Sequence, residues 1–115
     1  MSDFAKLRER MVRRQIEARG IRDPATLEAF RQVPREAFVD EAHRAWAYDD
    51  NPLPIEAGQT ISQPFIVALM IEAAEIASGD KVLEVGAGSG YAGAVMSRIA
   101  REVIAIERQR DLVDL

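Results

Sequence analysis

The chain has 115 residues, of which 48% are hydrophobic and 30% are charged, as expected for a globular protein of one modest domain. The net charge is −4 and no basic stripe is present, which argues against nucleic acid as a partner. The absence of cysteine excludes disulfides and cysteine-bound metals and favours a cytoplasmic location. We expect neither a secretion signal nor a membrane-spanning segment.

Helices are predicted for the first part of the chain. Apolar residues recur at helical spacing near the start, and Gly20 is suited to end this first helix. Asp23, a typical N-cap residue followed by proline, begins a second helix that ends at Pro34. A further short helix and a proline-containing extended segment follow. Residues 1–57 are therefore expected to form a helical cap and a loop.

Alternating strands and helices are predicted for the rest of the chain. A helix follows Ser62 and is broken by the sequence "SGD". The segments "KVLEV" (81–85) and "EVIAIE" (102–107) are both expected to be buried strands, each followed by a helix. This order is the opening of a doubly wound α/β domain, which we expect to occupy residues 58–115.

A glycine-rich turn joins the first of these strands to its helix. The sequence "VLEVGAGSGYAG" has glycines at 86, 88, 90 and 93, which suit positive φ angles and close approach of the backbone to a ligand. The dinucleotide fingerprint needs a further glycine where this chain has Tyr91. Glu107, at the tip of the next strand, has the carboxylate that accepts hydrogen bonds from a ribose diol. The pattern favours a nucleoside ligand over a purely structural turn.

Only two parallel strands are predicted, and both edges of such a sheet are open. Parallel sheets are normally wider and covered on both faces. We therefore expect the first part of a larger fold, present as a fragment, a truncated form or an unusual assembly. Open edges also allow self-association.

The motifs of this chain resemble those of a known enzyme family. "VLEVGAGSGY" and "IAIE" are similar to the cofactor motifs of class I methyltransferases, which use S-adenosylmethionine. Together with "VPREAFV", "YDDNPLPI" and "GQTISQPFIVALM", they make the chain from about Arg13 to Leu115 resemble the protein-L-isoaspartate O-methyltransferases. The resemblance implies an incomplete Rossmann-like class I methyltransferase fold of class α/β.

The resemblance also implies a reaction. Members of the family transfer a methyl group from S-adenosyl-L-methionine to the α-carboxyl group of L-isoaspartyl residues in damaged proteins, which leaves S-adenosyl-L-homocysteine. Isoaspartyl-containing proteins and peptides are thus the implied partners. Because the family's second half supplies further strands and part of the substrate cleft, this chain is expected to be inactive alone.

Particular residues match the family's functional positions. Ser62 matches the active-site serine, and it is implied with Thr60 in substrate binding. Glu84 matches a position beside the cofactor, and Glu107 matches the ribose-binding carboxylate. The full implied cofactor set is Gln59, Thr60, Ile61, Ser62, Glu84, Gly86, Ala87, Gly88, Ser89, Gly90, Glu107 and Arg108, and no metal is implied.

Other interpretations remain open at the level of sequence. The spacing of Ser62 before Pro64 also fits helix capping, and Tyr91 is expected to pack against the sheet. The whole chain can be a non-catalytic folding or assembly unit, or a class I methyltransferase acting on another carboxylate or small molecule. A nicotinamide-dependent oxidoreductase is disfavoured by Tyr91.

Overall fold

A computed structural model describes residues 3–54 and 60–107. Its regular elements are the α-helices α1 (Asp3–Met11), α2 (Pro24–Gln32), α3 (Pro64–Ala73) and α4 (Tyr91–Ser97), and the strands β1 (Leu53–Pro54), β2 (Thr60–Ile61), β3 (Lys81–Val85) and β4 (Glu102–Ile106). None of the helices in the described ranges is long and apolar enough to cross a bilayer.

The first helical segment is longer than α1 and changes its winding. After Met11 it continues as a π-helix over Val12–Ile16 and as a 3₁₀ turn over Glu17–Arg19. Gly20 ends it with a φ of 109°, as its position in the sequence predicts. The predicted extent of this helix is therefore confirmed. The prediction of one uniform helix is wrong, because its winding changes at Val12 and at Glu17. Its apolar stripe is fully buried at Met11, Val12 and Ile16.

The second helix begins as the sequence predicts. The Asp23 carboxylate accepts hydrogen bonds from the backbone amide (3.3 Å) and the hydroxyl (2.6 Å) of Thr26, and proline occupies the first turn. The segment that follows was expected to hold one short helix. It instead forms two 3₁₀ helices, Arg35–Phe38 and Glu41–Trp46, the second capped by the Asp40 side chain.

Strands β3 and β4 lie side by side in parallel, with Leu83 and Ile104 as one of the paired positions. Helix α4 packs on the face that carries Glu84 and Val103. The opposite face carries Leu83, Val85, Ile104 and Ile106, whose exposed fractions are 61%, 77%, 52% and 51%. The expectation of buried strands is therefore wrong for this face, because no described element covers it.

A continuous apolar core joins the helical region, which is the described chain before β1, to the α/β region, which runs from α3 to β4. It runs from Met11 and Phe30 in the helical region to Ile71 on α3 and Val95 on α4. Helix α2 packs against α4, and the π-helical segment packs against α3. Helix α3 ends at Ala73, earlier than the sequence predicts, and Glu75 just beyond it has a positive φ of 54°.

Candidate functional site

The turn between β3 and α4 depends on its glycines. Gly86, Gly88 and Gly90 have φ angles of 77°, 61° and 89°, a region that side chains disfavour. Gly93 serves a different purpose, because an added Cβ would lie 3.0 Å from Glu84 Oε1. The prediction of positive φ is thus confirmed at Gly86, Gly88 and Gly90, whereas close approach of the turn to a ligand stays a prediction.

Hydrogen bonds hold this turn against the end of β4. The amides of Gly86 and Ala87 donate to the Ile106 carbonyl oxygen at 2.7 and 3.1 Å. The Gly88 amide donates to Glu107 Oε2 at 2.7 Å. The Glu107 carboxylate therefore lies at the glycine turn, where the carboxyl ends of neighbouring parallel strands are expected to meet.

Glu84 adds a second carboxylate beneath the turn. Its Oε1 atom is buried and receives no hydrogen bond from the residues that the structure describes. Burial, and then the nearby charge of Glu107, raises the pKa of Glu84 above its ordinary value. A buried acceptor without a donor is costly, so this oxygen is suited to an N–H or ammonium group of a bound molecule.

Ser62 lies directly after β2, in the short segment that leads into α3. Gln63, not Ser62, is the N-cap residue of α3, and the Gln63 side chain donates to Asp50 Oδ1 at 2.7 Å. The helix-capping interpretation of Ser62 is therefore wrong. The hydroxyl of Ser62 makes no hydrogen bond within the described ranges, whereas its carbonyl oxygen accepts one from Arg35 Nη2 at 3.0 Å.

One cavity of about 630 Å³ brings these parts together. Its other walls are largely apolar and come from α3, β3 and α4. The residues of the predicted site that line it are Ile61, Ser62, Glu84, Gly86, Ala87, Gly88 and Ser89. Gly90 caps α4 beside the cavity, and Glu107 is bonded to the turn.

Three residues of the predicted site lie partly or wholly outside the description. Gln59 and Arg108 fall outside the described residues, and Thr60 is described only as part of strand β2. The described ranges contain no group of three or more His, Cys, Asp or Glu side chains arranged to hold a metal ion.

Sequence reasoning missed Arg35 and did not predict the packing partners of Tyr91. Tyr91 is fully buried and packs edge-on against Phe30 and Phe38 of the helical region, with ring centroids 6.1 and 5.6 Å away. It therefore packs toward the helical region, although it was expected against the sheet. Arg35, fully buried beside it, follows Pro34 in a short polar stretch, and nothing in that local pattern distinguishes it from a surface arginine.

Comparison with protein-family models decides the family. The model described as protein-L-isoaspartate(D-aspartate) O-methyltransferase (PCMT) matches residues 6–115. The chain belongs to the protein-L-isoaspartate O-methyltransferase family. The resemblance drawn from its motifs is thereby confirmed.

Relatives within this family share much of the sequence. Protein-L-isoaspartate O-methyltransferase 1 of Rhodopseudomonas palustris (strain HaA2) is 63% identical over 113 residues, which are 98% of this chain and 46% of the relative. Protein-L-isoaspartate O-methyltransferase 2 of Pelobacter propionicus is 62% identical over 105 residues, or 91% of this chain and 47% of the relative. The chain thus spans about half the length of the curated relatives that it matches.

Solved structures from the family confirm the fold. A protein-L-isoaspartate O-methyltransferase superposes with a TM-score of 0.82 at 31% identity, covering 93% of this chain and 36% of that chain. The beta-aspartate methyltransferase (PCMT) structure from Plasmodium falciparum, in complex with S-adenosyl-L-homocysteine, gives 0.78 at 29% identity, covering 93% and 51%. The expected α/β class, part of a Rossmann-like methyltransferase fold, is therefore correct.

Proposed function

We propose that this chain carries the cofactor-binding part of a protein-repair methyltransferase that acts on the α-carboxyl group of L-isoaspartyl residues. One observation carries the proposal: the glycine turn, Glu84 and Ser62 all line the same cavity. The neighbour from Plasmodium falciparum, whose structure includes S-adenosyl-L-homocysteine, supports a cofactor of the same chemical type.

The described residues fit S-adenosylmethionine. Gly86 and Gly88 have no side chains of their own, so a ligand can approach the backbone of the turn closely. The unpartnered Oε1 of Glu84 suits the ammonium group of the methionine part. Glu107, at the tip of β4, suits the ribose diol. When bound, the cofactor supplies an electrophilic methyl group.

The remaining proposed contacts come from the resemblance. We assign the cofactor-binding set as Gln59, Thr60, Ile61, Ser62, Glu84, Gly86, Ala87, Gly88, Ser89, Gly90, Glu107 and Arg108. Thr60 and Ser62 are assigned to the substrate as well, and Ser62 is the proposed active-site residue. Its hydroxyl, unengaged within the described ranges, is able to orient a substrate carboxylate.

This chemistry requires positioning more than proton transfer. A carboxylate is already ionised at neutral pH, so the nucleophile needs no general base. Hydroxyl groups orient that carboxylate without competing with it as nucleophiles. The contribution of Ser62 is therefore to hold the reacting oxygen in line, where small displacements have large effects on rate.

The organisation and setting of the chain follow from the same proposal. We propose a helical cap and loop over residues 1–57 and the first part of the cofactor domain over residues 58–115. The lack of cysteine favours the cytoplasm. Isoaspartyl proteins are the proposed partners, and the net charge of −4 gives no support for nucleic acid. Nor do we propose a membrane partner. Both edges of the sheet are open within the described ranges, which supports self-association.

A second candidate function is a non-catalytic folding or assembly unit. The exposed face of the sheet, with Leu83 and Val85 largely in solvent, favours it. Such a unit binds the cofactor weakly or not at all. A class I methyltransferase for another carboxylate would retain the cofactor site and differ only in substrate.

Methyl transfer from labelled S-adenosylmethionine to an isoaspartyl peptide, with its aspartyl twin as control, separates these functions. The chain is assayed beside a version extended with the remaining residues of the 63% identical Rhodopseudomonas palustris relative. We expect the extended chain to label only the isoaspartyl peptide. If it labels neither peptide, the repair function is wrong; if other carboxylates are labelled instead, the substrate assignment is wrong.

A pair of serine variants tests the site within the same assay. Ser62→Ala in the extended chain should lower the rate by at least about tenfold, a loss expected when an orienting contact is removed. Ser97→Ala is the matched control, because Ser97 is exposed and its hydroxyl donates only to the Ala94 carbonyl oxygen of its own helix. Equal rates for both variants would contradict the role of Ser62.

A further inference from the structure

A buried arginine links the two sides of the candidate site. Arg35 has no exposed surface, although it begins a short 3₁₀ helix in the helical region. Its Nε donates to the Ala47 carbonyl oxygen at 2.6 Å, and its Nη2 donates to the Ser62 carbonyl oxygen at 3.0 Å. Its Cζ lies 4.9 Å from the centre of the Tyr91 ring. The guanidinium therefore contacts three segments that are distant in sequence.

This burial is costly and no described acid compensates for it. Arg35 forms no ion pair with any acidic side chain in the described ranges, and its Nη1 is buried without a hydrogen-bond acceptor. The neighbouring Glu36 is engaged instead with Arg8 and the Tyr48 hydroxyl. An unpaired buried cation is a poor source of stability compared with an apolar side chain of similar volume. Its presence requires an explanation other than packing.

The geometry of the guanidinium supplies that explanation. The guanidinium group is planar and its N–H donors have fixed directions, so two of them fix the carbonyl oxygens of Ala47 and Ser62 relative to each other. Its contact with the aromatic face of Tyr91 fixes both to the first residue of α4, which directly follows the glycine turn. On the other side of Ser62, Asp50 holds the side chain of Gln63. The Ser62 backbone is thus held from two directions.

We propose that Arg35 is a positioning residue that sets the Ser62 segment at a fixed distance from the glycine turn. It acts through the Ser62 backbone and the Tyr91 ring and leaves the Ser62 hydroxyl available for substrate. The effect of Arg35 on catalysis rests on the proposed function. Its role in holding the Ser62 segment near the glycine turn can be tested without any ligand.

Arg8 provides a matched control within the chain. Its Nε donates to the Tyr48 hydroxyl at 2.9 Å, and its guanidinium lies 5.9 Å from the centre of the Tyr48 ring. It also pairs with Glu36. Arg8 therefore has the same chemistry, but among the described residues its side chain bonds only to Tyr48 and Glu36 of the helical region, neither of which lines the cavity.

The first measurement is amide hydrogen exchange in Arg35→Lys, Arg35→Met and Arg8→Lys, each compared with the unmodified chain. Lysine keeps the charge but lacks the planar guanidinium group. In Arg35→Lys and Arg35→Met we expect exchange over residues 60–66 to accelerate by about tenfold or more beyond the change in global stability. Arg8→Lys should accelerate exchange in residues 60–66 only as much as in the rest of the core. Equal local effects from the Arg35 and Arg8 variants would overturn the proposal.

The second measurement is the affinity for S-adenosyl-L-homocysteine by calorimetry. Arg35→Lys should weaken binding by about tenfold, and Arg8→Lys should leave it within about twofold, because misplaced binding groups lose affinity even when the fold is retained. Equal affinities for the Arg35→Lys and unmodified chains would contradict the link to the site. If the unmodified chain does not bind this ligand, the proposed cofactor function of the chain fails, and hydrogen exchange alone decides the role of Arg35.

A measurement on the unmodified chain covers the case in which the Arg35 variants do not fold. The Arg35 Nε–H signal should exchange slowly with water and shift during titration with S-adenosyl-L-homocysteine, because it is held between two segments of the site. The Nε–H signal of Arg8 is the internal reference. A fast-exchanging Arg35 Nε–H signal would overturn the proposed positioning role of Arg35.

Discussion

The helical region and the sheet differ in how far their apolar side chains are exposed to solvent. Val12 and Phe30 in the helical region have no exposed surface, whereas Leu83 on β3 is 61% exposed and Ile104 on β4 is 52% exposed. Within the described residues the helices cover most of one another's apolar stripes, although Leu7 and Trp46 are 37% and 52% exposed. In the part of the chain that the structure describes, a helix covers only one face of the sheet.

This difference shows what an apolar pattern does and does not specify. Both regions have the spacing of apolar residues that predicts burial. In the helical region the described chain supplies a partner for each stripe: the π-helical segment packs against α2 and α3, and α2 also packs against α4. On the open face of the sheet, the pattern identifies the side chains that need a cover but not the element that provides it.

The largest expected effect comes from truncating one apolar side chain in each region. Phe30→Ala should lower the free energy of unfolding by about 3–5 kcal/mol, because it leaves a cavity in a closed core. Leu83→Ala should lower it by less than about 1 kcal/mol, because most of that side chain is already in water. Urea denaturation followed by circular dichroism measures both. A similar loss of unfolding free energy in the two variants would contradict this difference between the two regions.

A smaller effect is expected on the covered face of the sheet. In Gly93→Ala the new methyl group would lie 3.0 Å from Glu84 Oε1 and 4.0 Å from a Val103 methyl group. Overpacking costs about 1–3 kcal/mol, and alanine recovers up to about 1 kcal/mol through helix propensity, so we expect a net loss of about 1 kcal/mol. Gly79→Ala is the control, since nothing lies within 4 Å of its added Cβ. Stability of Gly93→Ala at or above that of Gly79→Ala would show that Glu84 moves aside easily.

Glu84, on the covered face of the sheet, should also make the stability of the protein depend on pH. Because the native pKa of Glu84 lies above the ordinary value of 4.5, the native state binds this proton more tightly than the unfolded chain does. Its stabilising contribution is present below pH 4.5 and is lost as the pH rises through the raised native pKa. Glu84→Gln should remove this decline in urea midpoint, whereas Glu102→Gln, an exposed control on β4, should retain it. A decline that persists in Glu84→Gln would assign the effect to another group.

The smallest effect on stability is expected on the open face. Leu83 and Ile104 are paired across the two strands, so Leu83→Lys combined with Ile104→Glu places opposite charges side by side. We expect the unfolding free energy to change by less than about 1 kcal/mol, with a marked decrease in binding of an apolar dye and in particle size by light scattering. The control places the same charges at exposed serines, as Ser78→Glu and Ser97→Lys. Equal dye binding in both double variants would show that this face is already covered in solution.

Much of the site was predictable because its parts are adjacent in sequence to strand ends. The strand, the glycine turn and the carboxylate after the next strand follow a local pattern, and in the structure the Glu107 carboxylate lies at this turn, bonded to the Gly88 amide. The positive φ angles at Gly86 and Gly90 were likewise expected from residue type and place.

The rest depended on contacts between distant segments. Arg35 and Ser62 are 27 positions apart, and no local spacing relates a buried guanidinium to that carbonyl oxygen. The side on which Tyr91 packs depends on how α2 docks against α4, which periodicity does not determine. The change to π-helical winding at Val12 also has no local signal among these residues.

The most direct test of the account is titration of the 115-residue chain with S-adenosyl-L-homocysteine, followed through backbone amide signals. We predict saturable shifts at Gly86–Ser89 and at Ile61 and Ser62, the two sides of one cavity, and a strong weakening in Glu107→Ala. Exposed Gly79, at the opposite end of β3, should remain unchanged. An absence of saturable shifts, or equal shifts in Glu107→Ala, would contradict the claim that these residues form a cofactor site.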